Sequence, residues 1–175
     1  YVKIDRKKKI LGTMFLRAIG LNSREEIIQA FYKTKEISFK TEKGRNQAVN
    51  CVLAKSIFTE QDGKQVKLFR AGDKLHLHEI DEIIQLGIKE ITVIDFGENS
   101  NQEQQEIILN CFVREDMKLN REEQDQDEPS KNDALAAVYS AIQPGEPITF
   151  EAAEKDLHSL FFSNRRYDLG KVGRY

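Results

Sequence analysis

The sequence predicts an α+β fold, with a mainly helical portion built from both chain ends and a small α+β unit inserted between them. Both ends carry apolar residues at helical spacing, whereas the middle is rich in β-forming residues separated by glycine turns. We place the helical portion at residues 1–40 and 126–175 and the inserted unit at 41–125. Since both ends carry matching apolar faces, we expect them to pack together.

The first third of the chain predicts a short strand and two helices. Apolar and polar residues alternate at 2–4, as in a strand. An apolar face along 10–19 predicts a helix that stops at Gly20. Ser23 and Glu26 then have capping-box spacing ahead of a second apolar face. We therefore expect a short helical hairpin at the start of the chain.

The middle of the chain predicts a hairpin, a helix and a further strand. VNCVLAKSIF, residues 49–58, is rich in β-formers, and the Asp-Gly pair at 62–63 marks a turn into a returning strand at 66–69. Apolar residues along 77–84 predict a short helix, and ITVIDF, 91–96, predicts another strand. These elements are sufficient for a unit with its own small core.

The remainder of the chain turns from mixed to helical patterning. IILNCFV, residues 107–113, is an apolar stretch that predicts a strand, and REEQDQDEPS, 121–130, predicts a solvated, mobile loop. Apolar residues along 135–142 share one face of a helix that Pro-Gly at 144–145 ends. Thr149 is positioned to cap a last helix.

Composition limits the functions that the chain can have. The formal net charge is −2 and the pI about 6.0, so the chain as a whole is not a nucleic-acid-binding polycation. No apolar run approaches the roughly 18 residues of a membrane-spanning helix, and we expect no membrane contact. Cys51 and Cys111 lack metal-ligand spacing, which predicts free thiols in a reducing cytoplasm. The initial Tyr1 suggests a piece of a longer protein.

Two groups of side chains raise the question of a metal site. His76 and His78 have a spacing seen among metal ligands, with Glu79 and Asp81 beside them, but no further histidine or cysteine lies near. A second group consists of four carboxylates that could bind a divalent ion, but they lack the ordered spacing of a calcium loop. These are Asp95, Glu98, Glu103 and Glu106. Since glycine-rich phosphate loops and nucleophile elbows are also missing from the sequence, we expect no catalytic residue and no cofactor in this chain, and a metal-dependent hydrolase is disfavoured.

Two basic patches lie near the ends of the chain, IDRKKK at 4–9 and RRYDLGKVGR at 165–174. Each adjoins apolar residues that a core can hold, and compact domains often bring their termini together. An arginine beside a tyrosine can contact phosphate and stack on a base. Solvent-facing charge remains the simpler alternative for either patch alone. Together they favour an anion-binding or single-strand-binding surface on an otherwise acidic body.

The same patches resemble motifs of a known family. Residues 4–19, IDRKKKILGTMFLRAI, resemble the IDRRRKLPxTxLLRAL motif of bacterial RNA polymerase beta subunits. Residues 143–175 resemble the RPGEPPTxExAxxLxxxLFFxxxRYDLxxVGR stretch of that subunit, with DALAAVYSAI just upstream as expected. Lys7 stands where arginine is usual, and Gln143 and Ile148 replace an arginine and a proline. The middle looks like the insertion that many bacterial beta subunits carry.

This resemblance implies a place in a large enzyme. Residues 1–40 and 126–175 would form part of the lobe domain, one wall of the DNA cleft, and 41–125 its insertion. The whole enzyme is a nucleotidyltransferase, DNA-directed RNA polymerase, and its catalytic magnesium is expected in another subunit. As an alternative role, the insertion is a docking module for a lineage-specific transcription factor.

The resemblance also implies a set of DNA-contacting residues and partners. Asp5, Arg6, Lys7 and Arg166 correspond to the family residues that line the path of downstream and non-template DNA. The implied partners are the alpha, beta-prime and omega subunits, a sigma factor and DNA. No metal ligand is implied in this chain.

Overall fold

Helices and short antiparallel strands alternate along the chain, which gives the α+β fold that the sequence predicts. The computed structural model describes residues 1–3, 8–61, 63–97, 102–118 and 128–163. Within these residues the strands are β1 (Val2–Lys3), β2 (Lys9–Ile10), β3 (Lys33–Ser38), β4 (Ile57–Gln61), β5 (Lys64–Phe69) and β6 (Glu90–Asp95). The helices are α1 (Gly12–Ala18), α2 (Arg24–Phe31), α3 (Glu42–Ala48), α4 (Leu77–Gln85), α5 (Gln102–Lys118), α6 (Lys131–Ile142) and α7 (Phe150–Phe161).

The first compact unit combines the two ends of the chain, residues 1–22 and 129–175. Strands β1 and β2 pair antiparallel, and α6 packs against both α1 and α7. Ser130 caps α6, since its hydroxyl accepts the main-chain N–H of Asp133 at 3.2 Å. The buried apolar side chains are Ile10, Leu11, Met14, Ala18, Ala134, Leu135, Val138, Ala153 and Leu157. The described parts of the two chain ends therefore form one mainly helical unit.

The second compact unit comprises residues 23–128. Strands β3 and β6 pair antiparallel along their whole length, and β4 and β5 form a hairpin. Helix α3 lies so close to β3 that a Cβ on Gly44 would come within 1.9 Å of the Ser38 carbonyl oxygen, so that only glycine fits there. The core of this unit is rich in branched side chains: Ile37, Ala48, Leu53, Ile57, Leu75, Ile80, Ile83, Ile91 and Val93.

Local signals in the sequence locate most elements correctly. Ser23 caps α2, because its hydroxyl accepts the main-chain N–H of Glu26 at 3.1 Å. The predicted turn joins β4 and β5 at Gly63, whose φ is +73°, while Asp62 lies outside the described residues. Helices α4, α6 and α7 and strand β6 also lie where the apolar spacing predicts them.

The strand predicted at 107–113 is wrong, because these residues lie inside α5. Their apolar run is flanked by residues that favour helices, with no turn residue to separate it from them. Phe112 and Glu115 are both buried, at 2% and 0% exposure, and their three-residue separation places them on one helical face. A short apolar run is ambiguous on its own, and the length of the surrounding segment decides for helix.

The boundaries of the two units differ from those predicted at 40/41 and 125/126. Residues 23–40 belong to the second unit, so α1 and α2 lie in different units rather than in one helical hairpin. The predicted boundary at 40/41 is wrong because β3, which precedes it, pairs with β6 of the second unit. Only Ile37 is buried in β3, so the strand lacks the apolar alternation by which a sequence reveals one.

Both cysteines are free, as predicted: Cys51 and Cys111 are half-buried and form no disulfide. The Cys51 thiol donates a hydrogen bond to the Gln47 carbonyl oxygen at 3.0 Å, and burial raises the pKa of this thiol. Among the described residues no helix is both long and apolar enough to cross a membrane. Most of the loop predicted at 121–130 lies outside the described residues.

Candidate functional site

The four residues predicted to contact DNA, Asp5, Arg6, Lys7 and Arg166, lie outside the described residues. Their flanking segments are described, and both belong to the first unit. Both flanks contact helices of that unit.

The flank of the first patch is tied to the end of α6. Lys8, the residue after Lys7, donates a hydrogen bond from Nζ to the Ile142 carbonyl oxygen at 2.7 Å. A cation is favoured there because the last carbonyls of a helix carry partial negative charge. The Nζ atom of Lys9 lies 4.7 Å from the centre of the Tyr1 ring, across the β1–β2 pair.

The flank of the second patch is tied to α1. The ring of Phe161, five residues before Arg166, contacts the ring of Phe15 edge-to-face, with centroids 4.8 Å apart. The contact joins the segment that follows the first patch to the segment that precedes the second. Both flanks are thus fixed to the same three-helix core, which the sequence predicts from the matching apolar faces.

Arg17 is a fully buried cation in the first unit, and sequence reasoning missed it. Its Nη1 donates to the Asn22 carbonyl oxygen at 2.5 Å and lies 3.5 Å from the Pro129 carbonyl oxygen. Asn22 and Pro129 are the residues at which the chain leaves and re-enters this unit. Arg17 therefore links the point where the chain leaves the first unit to the point where it returns. The sequence signal for this burial was the position of Arg17 between Met14 and Ala18, which are both buried on α1.

Gln143, which replaces an arginine of the family motif, bonds within the first unit. Its Oε1 accepts the hydroxyl of Tyr139 at 3.2 Å, and its Nε2 donates to Asp156 Oδ2 at 3.1 Å. These bonds link the end of α6 to α7. At this position the side chain supports helix packing.

The second unit contains a groove between α5 and the chain from β5 to the start of α4, with a volume of about 660 Å³. We call it the α5 groove. Four of its lining residues are lysine or arginine and three are carboxylates. Those charged residues are Arg24, Lys67, Arg70, Lys74, Asp73, Glu79 and Asp116. Leu68, Leu109, Phe112 and Val113 provide an apolar wall. No part of this groove was predicted from the sequence.

Arg24 lies at the base of this groove with only 4% exposure. Its Nη2 donates to Asp116 Oδ2 at 2.6 Å, and its guanidinium carbon lies 4.8 Å from the centre of the Phe112 ring. The Nε atom is buried and has no hydrogen-bond partner among the described residues. A buried N–H without an acceptor costs about 1–3 kcal/mol, so the surrounding contacts must offset it.

Arg70 and Asp73 form the opposite wall of the α5 groove. Arg70 Nη1 lies 3.6 Å from Asp116 Oδ2, and the Arg70 main-chain N–H donates to Asp73 Oδ2 at 2.8 Å. Burial raises the pKa of the Asp73 carboxyl, against the opposing effects of that hydrogen bond and of the charges of Arg70 and Arg24.

Gly72 sets how closely this wall approaches α5. Its φ is +92°, and an added Cβ would lie 2.9 Å from Cδ2 of Phe112. Glycine is required on both counts, conformational and steric.

The first group considered for metal binding makes other contacts, while Glu98 of the second group lies outside the described residues. The His76 main-chain N–H donates to Glu79 Oε2 at 2.6 Å at the start of α4, and Asp81 pairs with Arg45. The rings of His76 and His78 stack with centroids 6.2 Å apart. Within the described residues, no group of three or more His, Cys, Asp or Glu side chains is placed to hold a metal ion.

Comparison with known proteins identifies the family. Residues 96–175 match the family model described as RNA polymerase Rpb2, domain 2. Over 177 residues the chain is 49% identical to the DNA-directed RNA polymerase subunit beta of Treponema denticola, covering 100% of this chain and 15% of that protein. The chain belongs to the bacterial DNA-directed RNA polymerase beta-subunit family.

Other beta subunits also match along the whole length of this chain. The identity is 43% over 177 residues for Treponema pallidum and 45% over 180 residues for Borrelia hermsii, again with 100% of this chain covered. The chain spans about 15% of the length of these beta subunits. The family predicted from the two end motifs is confirmed.

Proposed function

We propose that this chain forms part of the lobe of an RNA polymerase beta subunit, one wall of the DNA cleft, and holds downstream and non-template DNA. In this role it supports DNA-templated RNA synthesis without supplying a catalytic residue. What supports the role is the combination of family membership with the two basic motifs at residues 4–9 and 165–174.

The observation that carries the proposal is that the flanks of both motifs are anchored in one unit. Lys8 is bonded to the end of α6, and Phe161 packs on Phe15 of α1. A DNA-contacting surface needs its cations in fixed positions, because ordering flexible side chains on binding costs affinity. Anchors on rigid helices reduce that cost.

The proposed contacts use different chemistry at each residue. Arg6, Lys7 and Arg166 engage phosphate oxygens, and an arginine can also take a guanine edge bidentately. Asp5 orients a neighbouring arginine through a charge-assisted hydrogen bond. Lys7 in place of arginine keeps the charge but lacks the planar fork.

The proposed context is a cytoplasmic polymerase. The partners are the alpha, beta-prime and omega subunits, a sigma factor and DNA. The magnesium ion that supports nucleotidyl transfer is bound by another subunit, so the residues of this chain serve to bind and position DNA.

The test is Arg166→Ala in the assembled polymerase, assayed by the lifetime of the open promoter complex at several salt concentrations. Loss of one phosphate contact should shorten the lifetime roughly fivefold, equivalent to about 1 kcal/mol. It should also reduce the slope of log lifetime against log salt by about 0.9, because one fewer counterion is involved.

The matched control is Lys155→Ala, which removes one positive charge from an exposed position of α7. The control should leave lifetime and slope unchanged. If Arg166→Ala behaves like the control in an enzyme of normal stability, the DNA-facing role is wrong and the terminal patch packs against another part of the polymerase.

A second candidate function is that the second unit docks a transcription factor. The observation that favours it is a pair of exposed apolar side chains one turn apart on α5, where Val113 and Met117 are 48% and 70% exposed. Neighbouring exposed apolar side chains beside a groove are typical of protein interaction surfaces. Both functions can reside in one chain, because they use different units.

A further inference from the structure

We propose that a pocket at the end of α4 is a docking site for a segment of a partner protein that carries acidic and apolar side chains next to each other. The pocket has a volume of about 380 Å³ and is lined by Phe39, Lys40, Ile84, Gly87, Ile88 and Lys89. We call it the α4 pocket. The proposal rests on the docking function proposed for the second unit, to which it gives a site and a ligand chemistry.

The backbone around the α4 pocket is fixed by hydrogen bonds. Helix α4 ends where Gly87, whose φ is +79°, turns the chain toward β6, and the Gly87 main-chain N–H donates to the Ile84 carbonyl oxygen at 2.9 Å. The Phe39 main-chain N–H donates to the Lys89 carbonyl oxygen at 2.9 Å, which joins the two sides of the pocket. The pocket is therefore formed before a ligand binds, and a preformed site lowers the cost of ordering on binding.

The floor of the α4 pocket is apolar and continues the core of the second unit. Phe39 and Ile88 are half-buried and pack against that core. Ile84 lies one turn after the fully buried Ile80 on α4, yet it remains 36% exposed, and Leu86, two residues later, is 46% exposed. An apolar side chain placed here extends the core and removes further apolar surface from water.

The charges that line the α4 pocket are of one sign. Its charged lining residues are Lys40 and Lys89, both exposed, and neither forms an ion pair with any described residue. The carboxylates nearest to them in sequence, Glu42 and Glu90, do not line the pocket, whereas the lining of the α5 groove contains carboxylates as well as cations. A ligand carboxylate complements the two lysines, whose aliphatic stems can pack along a neighbouring apolar side chain.

The same features favour a peptide over nucleic acid. Nucleic acid gains affinity from a row of cations along its phosphates, and the pocket offers two. Phe39, the aromatic residue of the lining, packs on the core and is half-buried, so it presents little ring surface to a base. A peptide can instead place an acidic side chain at Lys40 or Lys89 and an apolar neighbour on Ile84.

The experiment measures binding of a fluorescein-labelled octapeptide of alternating glutamate and leucine to the 175-residue chain by fluorescence anisotropy. Lys89→Glu should weaken binding about tenfold, equivalent to about 1.4 kcal/mol, because an attraction becomes a repulsion. Lys89 bonds to Phe39 through its main chain, so its side chain can change without loss of that bond.

The matched control is Lys33→Glu, which changes an exposed lysine at the end of β3 remote from the pocket. Lys33 lies about 17 Å along the strand from Ser38, the residue before Phe39. Since this separation exceeds the Debye length at physiological salt, the affinity should stay within about twofold.

Two altered peptides identify what the α4 pocket recognises. With glutamine in place of glutamate, binding should weaken at least about fivefold, because the charge that faces the lysines is lost. With serine in place of leucine, binding should weaken by a similar factor, because the apolar floor is no longer covered. In a ¹⁵N-labelled chain, the amide signals of Lys40 and Gly87 should shift on addition of the original peptide, while that of Gly63 in the β4–β5 turn should not.

The proposal is overturned if Lys89→Glu and Lys33→Glu weaken binding equally, if either altered peptide binds as tightly as the original, if a single-stranded dodecanucleotide displaces the peptide, or if the peptide does not bind. Lys89→Gln, which should weaken binding about threefold, replaces Lys89→Glu if that variant fails to fold. Met117→Ser separates this proposal from the docking function on which it rests. If Met117→Ser abolishes binding while both Lys89 variants are silent, docking occurs on α5 and the α4 pocket is wrong.

Discussion

Arg17 in the first unit and Arg24 in the second are both almost completely buried, at 0% and 4% exposure, yet they meet different partners. Arg17 donates to main-chain carbonyls at the two chain crossings. Arg24 pairs with the carboxylate of Asp116, and its buried Nε–H has no partner in the part of the chain that the structure describes. The difference indicates that main-chain carbonyls stabilise the buried charge of Arg17, whereas a carboxylate stabilises that of Arg24.

The cores of the two units also differ in the side chains that fill them. The first unit packs helices through small residues such as Ala18, Ala134 and Ala153, which allow close approach around Arg17. The second unit encloses branched side chains around β3 and β6 and has its own apolar cluster. The buried charge of Arg17 in the first unit is therefore stabilised by main-chain carbonyls, while that of Arg24 in the second unit is stabilised by the carboxylate of Asp116.

The largest expected effect is that of Arg17→Leu. It leaves the buried carbonyl of Pro129 and the half-buried hydrogen bond of the Asn22 carbonyl without their donor, and a buried acceptor without a donor costs about 1–3 kcal/mol. We expect the free energy of unfolding of the first unit to fall by about 3 kcal/mol in urea titrations. Hydrogen exchange should accelerate in α6 more than in β6. A loss below about 1 kcal/mol would mean that water or another donor satisfies these carbonyls.

Asp116→Asn comes next and tests the second unit. It removes the carboxylate charge that faces Arg24 and Arg70 while keeping the side-chain shape, so we expect a loss of about 2 kcal/mol in the free energy of unfolding. The comparison variant is Glu154→Gln, which breaks the ion pair of Glu154 with Lys131 on the surface of the first unit.

The two ion pairs should respond differently to salt, and the pair of Glu154 should also depend on pH. Hydrogen bonding to Lys131 lowers the pKa of Glu154, so its stabilisation is present above the usual pKa and is lost as the pH falls through the lowered one. That pair is exposed, and salt should screen its effect, whereas the effect of Asp116→Asn should persist at high salt. If salt reduces the effects of both variants equally, burial does not protect the ion pairs of Asp116 from screening.

Gly72→Ala should cost about 2 kcal/mol, because it combines an unfavourable φ with a collision against Phe112. Gly87→Ala is the matched control: its φ is also positive, +79°, but nothing lies within 4 Å of the added Cβ. We expect the control to cost about 1 kcal/mol, from backbone strain alone. Thermal unfolding of the two variants measures the difference, and equal losses would show that α5 gives way to the added methyl group.

The smallest expected effect is the pH dependence due to Asp73. Burial raises its pKa above the unfolded value of about 3.9, so the folded state binds this proton more tightly. Stability from this group is therefore present below about pH 3.9 and is lost as the pH rises through the raised folded pKa. The free energy of unfolding of the wild type minus that of Asp73→Asn should fall across this window. A difference that grows with pH would mean that Arg70 and Arg24 outweigh burial.

The local elements and the family were available from the sequence alone. Helix caps such as Ser23 with Glu26, the turn at Gly63 and the apolar spacing of α4, α6 and α7 depend on neighbours a few residues apart. The end motifs are long and specific, so the beta-subunit family could be predicted from them. The four residues predicted to contact DNA stay a prediction, since they lie outside the described residues.

Tertiary structure decided the features that depend on distant partners. Strand β3 forms because β6 pairs with it, although its own side chains are mostly exposed and carry no strand pattern. Arg17 lies within reach of a carbonyl 112 residues away, and Arg24 meets a carboxylate 92 residues away. Local sequence does not specify these encounters, because the burial of a charge is tolerated only where the fold supplies its partners.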